Sequence, residues 1–229
     1  MTTEERLTYG DYLHLGDLLA LQIPVGPPGM AAHARAAEHF FIVVHQAFEL
    51  WFKQQLLDLQ CATDALVGNE PDVALEHLLR VAGVQRLLND QMALLDHLPP
   101  RSFMEFRPSL GTASGSESAQ AYQVIHALGL RNAGESLVYA AFRGALERAG
   151  VDVETLYREP SRAGALYRVA EALIDIAESH WLMAAMHVRI ADRAIGDRPG
   201  TAGTSGVEFL MQALKEKAFP DLWAVRTRL

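Results

Sequence analysis

One stretch constrains the fold of this chain more than any other. From about residue 31 to 66 no proline or glycine interrupts the sequence, and Phe41, Val44, Phe48, Phe52, Leu56 and Leu59 recur every three or four residues. That period places them on one side of an α-helix. The run FFIVV within it is locally strand-like, but the flanking period and the length favour helix. Leucines at helical spacing also mark 11–22, until Pro27-Pro28, set between glycines, breaks the pattern. Asn69-Glu70-Pro71-Asp72 reads as a helix start with proline in an early position, and that helix is expected to run to about Leu98 and stop at Pro99-Pro100. Residues 101–115 read as irregular. Further helices are expected over about 117–130, 133–149 and 161–195. Gly196–Gly206, with four glycines and a proline, must be a loop, and a last helix is expected from near Ser205 to about Lys217. No internal repeat and no convincing period of two is present. The expected fold class is all-α, a helical bundle, in a single domain over 1–229.

Half of the 229 residues are hydrophobic, ample for a sizeable core. Twenty basic against 28 acidic residues give a net charge of -8, which argues against wholesale binding to nucleic acid or anionic membrane. The opening MTTEERLTYGDY lacks the apolar run of a signal peptide, and the longest apolar runs are far too short to span a bilayer. The expectation is a cytoplasmic protein. A single cysteine, Cys61, rules out an internal disulfide and any cysteine-built zinc or iron–sulfur site, whereas there are nine histidines. Any metal here must look to histidine.

Most of those histidines have an ordinary reading. His14, His33, His77, His97 and His126 stand among polar or variable neighbours and read as surface or capping residues. No HxxxH or HExxH pair exists, so a zinc site on one helix is unsupported. His180 and His187, seven apart, share a helical face but lie about two turns from each other. His45 sits among Phe41, Phe48, Glu49 and Phe52, where burial disfavours the charged ring; a neutral imidazole there suits a base or an acceptor for an aromatic N–H, or equally a core histidine tied to a carbonyl. Around His187, Ala184, Ala185 and Ala191 leave room for a large flat cofactor, with the histidine as single axial ligand, or for close packing of another helix. Arg107, behind Phe103 and Phe106, has the planar fork that pairs with a carboxylate, or is a solvated arginine at a loop edge. Gly196–Gly206 lacks the GK[ST] ending of a nucleotide loop and suits a mobile lid or a plain connection.

These signals align with one family. The chain resembles the tryptophan 2,3-dioxygenases, haem enzymes with one axial histidine. Leu7-Thr8-Tyr9-Gly10-Asp11-Tyr12-Leu13 is similar to that family's LTYxxYL. Phe41-Ile42-Val43-Val44-His45-Gln46 with Glu49-Leu50-Trp51-Phe52-Lys53 is similar to FIxxHQxxELWxK. Phe106-Arg107, Leu110-Gly111 and Ala113-Ser114-Gly115 resemble its FRxxL…SG segment. His187, Arg189, Arg193, Ile195-Gly196, Thr201, Ser205-Gly206-Val207 and Phe209-Leu210 resemble its proximal-histidine helix and the loop after it. Phe219-Pro220-Asp221-Leu222-Trp223 with Val225-Arg226-Thr227 continues the likeness. Three departures accompany it. Ala36-Ala37 stand where the family has His-Asp, Glu117 and Tyr122 stand where its SGxQSxQ[YF]R run has Gln and Arg, and the chain is short between Tyr122 and His180.

The resemblance implies haem b on His187, with His45 as the catalytic distal residue ordering the indole N–H. It implies Phe41 and Phe103 along the indole, Arg107 on the substrate carboxylate, and Thr201 meeting the ammonium or carboxylate as the loop closes. Ser114 and Gly115 would lie by the haem edge. Residues 1–25 would form an arm, with Tyr9, Tyr12 and Leu13 in a neighbour's pocket within a homotetramer or homodimer. The implied partners are L-tryptophan or a substituted tryptophan and O2, and the implied reaction is oxygen insertion at the indole C2–C3 bond, giving an N-formylkynurenine-type product. Monooxygenation of a modified tryptophan to a 2-oxindole is the alternative that the departures raise. A non-catalytic haem- or tryptophan-binding protein is the other.

Overall fold

The structure, a computed structural model, describes residues 6–131 and 134–229. Among the described residues there are twelve α-helices, five 3-10 turns and no strand, so the chain is all-α. Three long helices form the frame: α3 (Ala32–Val67), α4 (Pro71–Leu94) and α10 (Ala165–Ile195). The others are α1 (Tyr9–Leu13), α2 (Leu15–Leu18), α5 (Pro100–Phe106), α6 (Ala119–Ala127), α7 (Leu137–Ala149), α8 (Val153–Arg158), α9 (Pro160–Ala163), α11 (Val207–Met211) and α12 (Pro220–Ala224). No helix among the described residues is long and apolar enough to cross a membrane.

Helix α3 buries Val44, Phe48, Phe52, Gln55, Leu59, Ala62 and Leu66, at the spacing that one face requires. The chain reverses at Asn69, whose φ of 61° is left-handed, a region that asparagine tolerates better than most residues. Pro71 then opens α4. Helix α4 packs against both α3 and α10, and α7 against α3. The core therefore runs from Leu59 and Leu66 through Leu78 and Leu88 to Leu173 and Ile176, with Phe142 of α7 fully enclosed.

Several expected boundaries differ. The helix expected over 11–22 is two short pieces, split at His14 with φ 49°. Leu13, Leu19 and Leu21 are exposed, and a helix this short needs a packed face to persist. Helix α4 ends at Leu94 and tightens into a 3-10 turn over Leu95–His97. Residues 101–115 are irregular only over 111–114: Pro100 opens α5 instead of only closing α4, and a 3-10 turn follows over Arg107–Leu110, because proline suits the first turn of a helix. The expected start near Ala133 falls outside the described residues, and α7 begins at Leu137, where the Ser136 hydroxyl accepts from the Tyr139 N–H at 3.3 Å. Gly164, with φ 56°, separates α9 from α10. The last expected helix stops at Met211, continues as a 3-10 turn to Lys215, and is followed by α12.

Candidate active site

The long helices leave a cavity of about 400 Å³ at one end of the bundle, within the size range of small-molecule sites. Helix α3 gives it Phe41, His45, Phe48, Glu49 and Phe52, residues that follow at four, three, one and three. Helix α10 gives it His180, Met183, Ala184, His187, Ile190, Ala191 and Ala194, again one face. Phe103 of α5, Arg107, the Ser114-Gly115 turn, and Gly200, Thr201 and Thr204 of the glycine-rich loop close the remaining sides. A shallower recess lined by Met104, Arg107, Pro108, Gly111, Pro199, Gly200 and Thr201 adjoins it, so Arg107 and Thr201 stand at the mouth.

The aromatic wall is ordered by ring contacts. The Phe41 ring lies 3.9 Å from the His45 ring and 5.8 Å from Phe103, centre to centre. Phe106 stands behind both and is fully buried. His45 Nδ1 is 2.7 Å from the Phe41 carbonyl. A carbonyl only accepts, so Nδ1 carries the proton and Nε2 of the neutral ring is a bare acceptor. Burial holds the His45 pKa below its ordinary value, against the raising effects of that bond and of Glu49. The ring is thus neutral near pH 7 and offers a lone pair to an N–H.

His187 is neutral for the same first reason. Burial lowers its pKa, and the nearby His45 and Arg131 lower it further. Its ring nevertheless has much accessible surface; because the residue lines the cavity, that surface is cavity surface. Ala184, Ala191 and Ala194 line the cavity from the same face, beside Met183 and Ile190. Among the described residues no group of three or more His, Cys, Asp or Glu side chains could hold a metal ion.

Arg107 donates from Nη2 to the Pro199 carbonyl at 2.6 Å, tying the mouth to the loop. The Ser114 turn is a capping box. Ser114 N–H donates to Glu117 Oε2 at 3.1 Å, and Ser116 N–H to Ser114 Oγ at 3.3 Å. Glu117, a departure from the family pattern, therefore fixes the turn. Tyr122, the other departure, lines the cavity and lies 4.0 Å from the His126 ring. Gln120 Nε2 donates to both the Glu49 carbonyl and Oε2 at 2.9 Å, joining α6 to α3.

The structure thus brings Phe41, His45, Phe103, Arg107, Ser114, Gly115, His187 and Thr201 to one cavity. It does not bring Tyr9, Tyr12 or Leu13 there; all three are exposed on the arm. Sequence reasoning missed Arg131 and Glu216 and left His180 without a task, yet all three line the same cavity. Only the position of His180 on the face of His187 gave a hint. His77, read as a surface residue, is half-buried, with Nδ1 2.7 Å from Asp58 Oδ1.

A family model described as tryptophan 2,3-dioxygenase matches residues 1–136 and 125–229. The chain belongs to the tryptophan 2,3-dioxygenase family. A tryptophan 2,3-dioxygenase of Kineococcus radiotolerans is 33% identical, the match covering 97% of this chain and 91% of that one. Those of Caulobacter vibrioides and Anaeromyxobacter dehalogenans are 31% and 34% identical over 97% of this chain and 98% and 96% of theirs. The two stretches matched to the tryptophan 2,3-dioxygenase model overlap at 125–136, from the last turn of α6 to the start of α7.

Proposed function

We propose that this chain is a haem-dependent oxygenase that inserts oxygen from O2 at the indole C2–C3 bond of L-tryptophan or a substituted tryptophan. The observation that carries the reading is one cavity that brings His45 of α3 and His187 of α10 together, both neutral, with an arginine and a glycine-rich loop at its mouth. Its residues fit a haem. A lone imidazole without a carboxylate or thiolate cluster suits a metal whose other ligands come from a macrocycle. The alanines beside His187 leave the width that a flat ring needs. His187 would hold the iron, and Ser114 and Gly115 would meet the edge of the ring. When bound, the haem supplies the activation of dioxygen.

The protein's own groups do the rest. His45 Nε2 accepts the indole N–H. Phe41 and Phe103 flank the ring and keep water out, which strengthens each polar contact inside. Arg107 exchanges the Pro199 carbonyl for the substrate carboxylate, a stronger, charge-assisted partner. Thr201 meets the ammonium or carboxylate as the loop settles. Held at both ends, the indole cannot slide, and the reacting bond keeps its place. The reading includes a single domain over 1–229, a cytoplasmic location, and a homotetramer in which the arm of residues 1–25 reaches a neighbour.

The test is aerobic turnover with tryptophan and β-substituted tryptophans, read by product mass. A gain of two oxygens is expected. A gain of one would move the assignment to monooxygenation, and no product from any indole amino acid would refute both. Loss of the Soret band in His187→Ala is expected alongside.

A further inference from the structure

The cavity wall holds a polar group for which neither the indole nor its amino-acid end has a use. His180 lies seven residues before His187 on α10, roughly 10 Å along the helix axis. Its Nδ1 is buried and has no hydrogen-bond partner. Such orphaned nitrogens are rare in native interiors, and each calls for a missing partner. Arg131 stands close enough for its charge to act on both His180 and His187. Among the described residues its guanidinium enters no ion pair. Glu216 accepts from the Arg131 backbone N–H at 2.7 Å, which secures that residue at a φ of 55°. A non-glycine residue keeps such a backbone only where its surroundings impose it. Glu216 also brings a carboxylate to the cavity wall, as Glu49 does from α3, and these two are the charges that oppose an anion.

We infer that His180 and Arg131 form a carboxylate-binding subsite, filled by a propionate arm of the macrocycle that His187 would hold. The inference rests on the haem reading above. The chemistry asked for is an acceptor with negative charge: the orphaned Nδ1 donates to it once protonated there, and the guanidinium neutralises it. Haem brings two carboxylates into a cavity whose lining is mostly apolar, where an unpaired charge is costly to bury. The other cation lining this cavity is Arg107, at the mouth among the residues suited to the amino-acid end of the substrate. His180 sits instead on the helix of His187, two turns before it, and Arg131 lines the same cavity.

The experiment compares porphyrin acids with their esters on the purified full-length chain. Haem and iron-free protoporphyrin IX, each with its dimethyl ester, are titrated by absorbance and by fluorescence. The wild type should bind each free acid about tenfold or more tighter than its ester, the worth of one charge-assisted contact. In His180→Leu/Arg131→Met the preference should fall to about twofold or less, while His180→Asn, whose amide nitrogen reaches the place of Nδ1, should retain most of it. His187→Ala should weaken haem but leave the acid-over-ester preference of the iron-free porphyrin. Equal binding of acid and ester by the wild type would overturn the subsite while leaving the haem reading intact. A preference undiminished in the double variant would do the same. If the double variant instead weakens tryptophan but not tryptophanamide, the carboxylate is the substrate's and the propionate assignment fails. If no porphyrin binds at all, the haem reading falls and takes the subsite with it. Far-ultraviolet dichroism of each variant separates these outcomes from misfolding.

Discussion

Arg107 donates to the carbonyl of Pro199, a neutral acceptor that a carboxylate outcompetes. Arg107→Met should therefore raise KM for tryptophan by about 10- to 100-fold, the value of one or two charge-assisted bonds, and leave tryptamine, which has no carboxylate, almost unaffected. Steady-state kinetics on both substrates check this, and an equal loss on tryptamine would remove the carboxylate role. Arg107→Lys should recover little, since an ammonium cannot reproduce the planar fork. Directly behind the site, Phe106 is fully buried against Phe41 and Phe103. Phe106→Ala should cost about 3–5 kcal/mol of stability in urea unfolding before any effect on chemistry is counted. At this scale the sequence was readable where residues sit in one contiguous motif: Phe41 and His45 share a turn of helix, and Arg107 follows Phe103 and Phe106. It was unreadable where partners come from separate segments. Nothing near Arg131 in sequence announces Glu216, and nothing near Gln55 announces Gln85; folding alone brings them together.

Between elements, that glutamine pair is the sharpest case. Gln55 of α3 donates to Gln85 of α4 at 3.0 Å in the middle of an apolar contact, and both side chains are fully buried. Gln55→Leu strands the Gln85 carbonyl oxygen and should cost about 1–3 kcal/mol, whereas the double change to leucine should recover most of that. A double-mutant cycle in urea measures the coupling, and additive losses would deny it. The loop after α10 depends on backbone instead. Gly206 has φ 65°, and a Cβ there would lie 2.6 Å from the Arg198 carbonyl. Gly206→Ala should displace Pro199 and Thr201 from the mouth and lower kcat/KM about tenfold or more, with haem absorbance unchanged; unchanged turnover would show that the loop takes no part. Long helices were legible because a period sustained over many residues admits one reading. The prolines were harder, because Pro100 and Pro220 open helices, and a proline in sequence marks a boundary without saying which side is helical.

Across the whole molecule, His180 shapes the response to acid. His180 is lowered to about 4 by burial, with Arg131 assisting, while unfolding returns it to about 6.5. The unfolded chain binds the extra proton between those values, so stability falls as pH falls through that window and is fully present above it. The loss from this residue should approach about 3 kcal/mol at the acid end, in haem-free protein, and His180→Leu should flatten the dependence; urea titrations from pH 7 to 4 measure it. The arm poses the opposite problem, too much apolar surface in water. Leu7, Tyr9, Tyr12, Leu19 and Leu21 are each at least 60% exposed. The described part of the arm is moored to α3 by the contacts of Gln22 and Leu21 with Gln46 and of Val25 and Gly26 with Glu38. A run of exposed apolar side chains on so few anchors marks a surface that a partner covers, and the homotetramer proposed above would supply a second copy of this chain. Tyr9→Ser/Tyr12→Ser should lower the mass in light scattering at micromolar concentration, and should weaken the rise of Tm with protein concentration that linked assembly produces. It should raise KM as well if the arm roofs the neighbour's substrate. Unchanged mass would remove the arm from the interface.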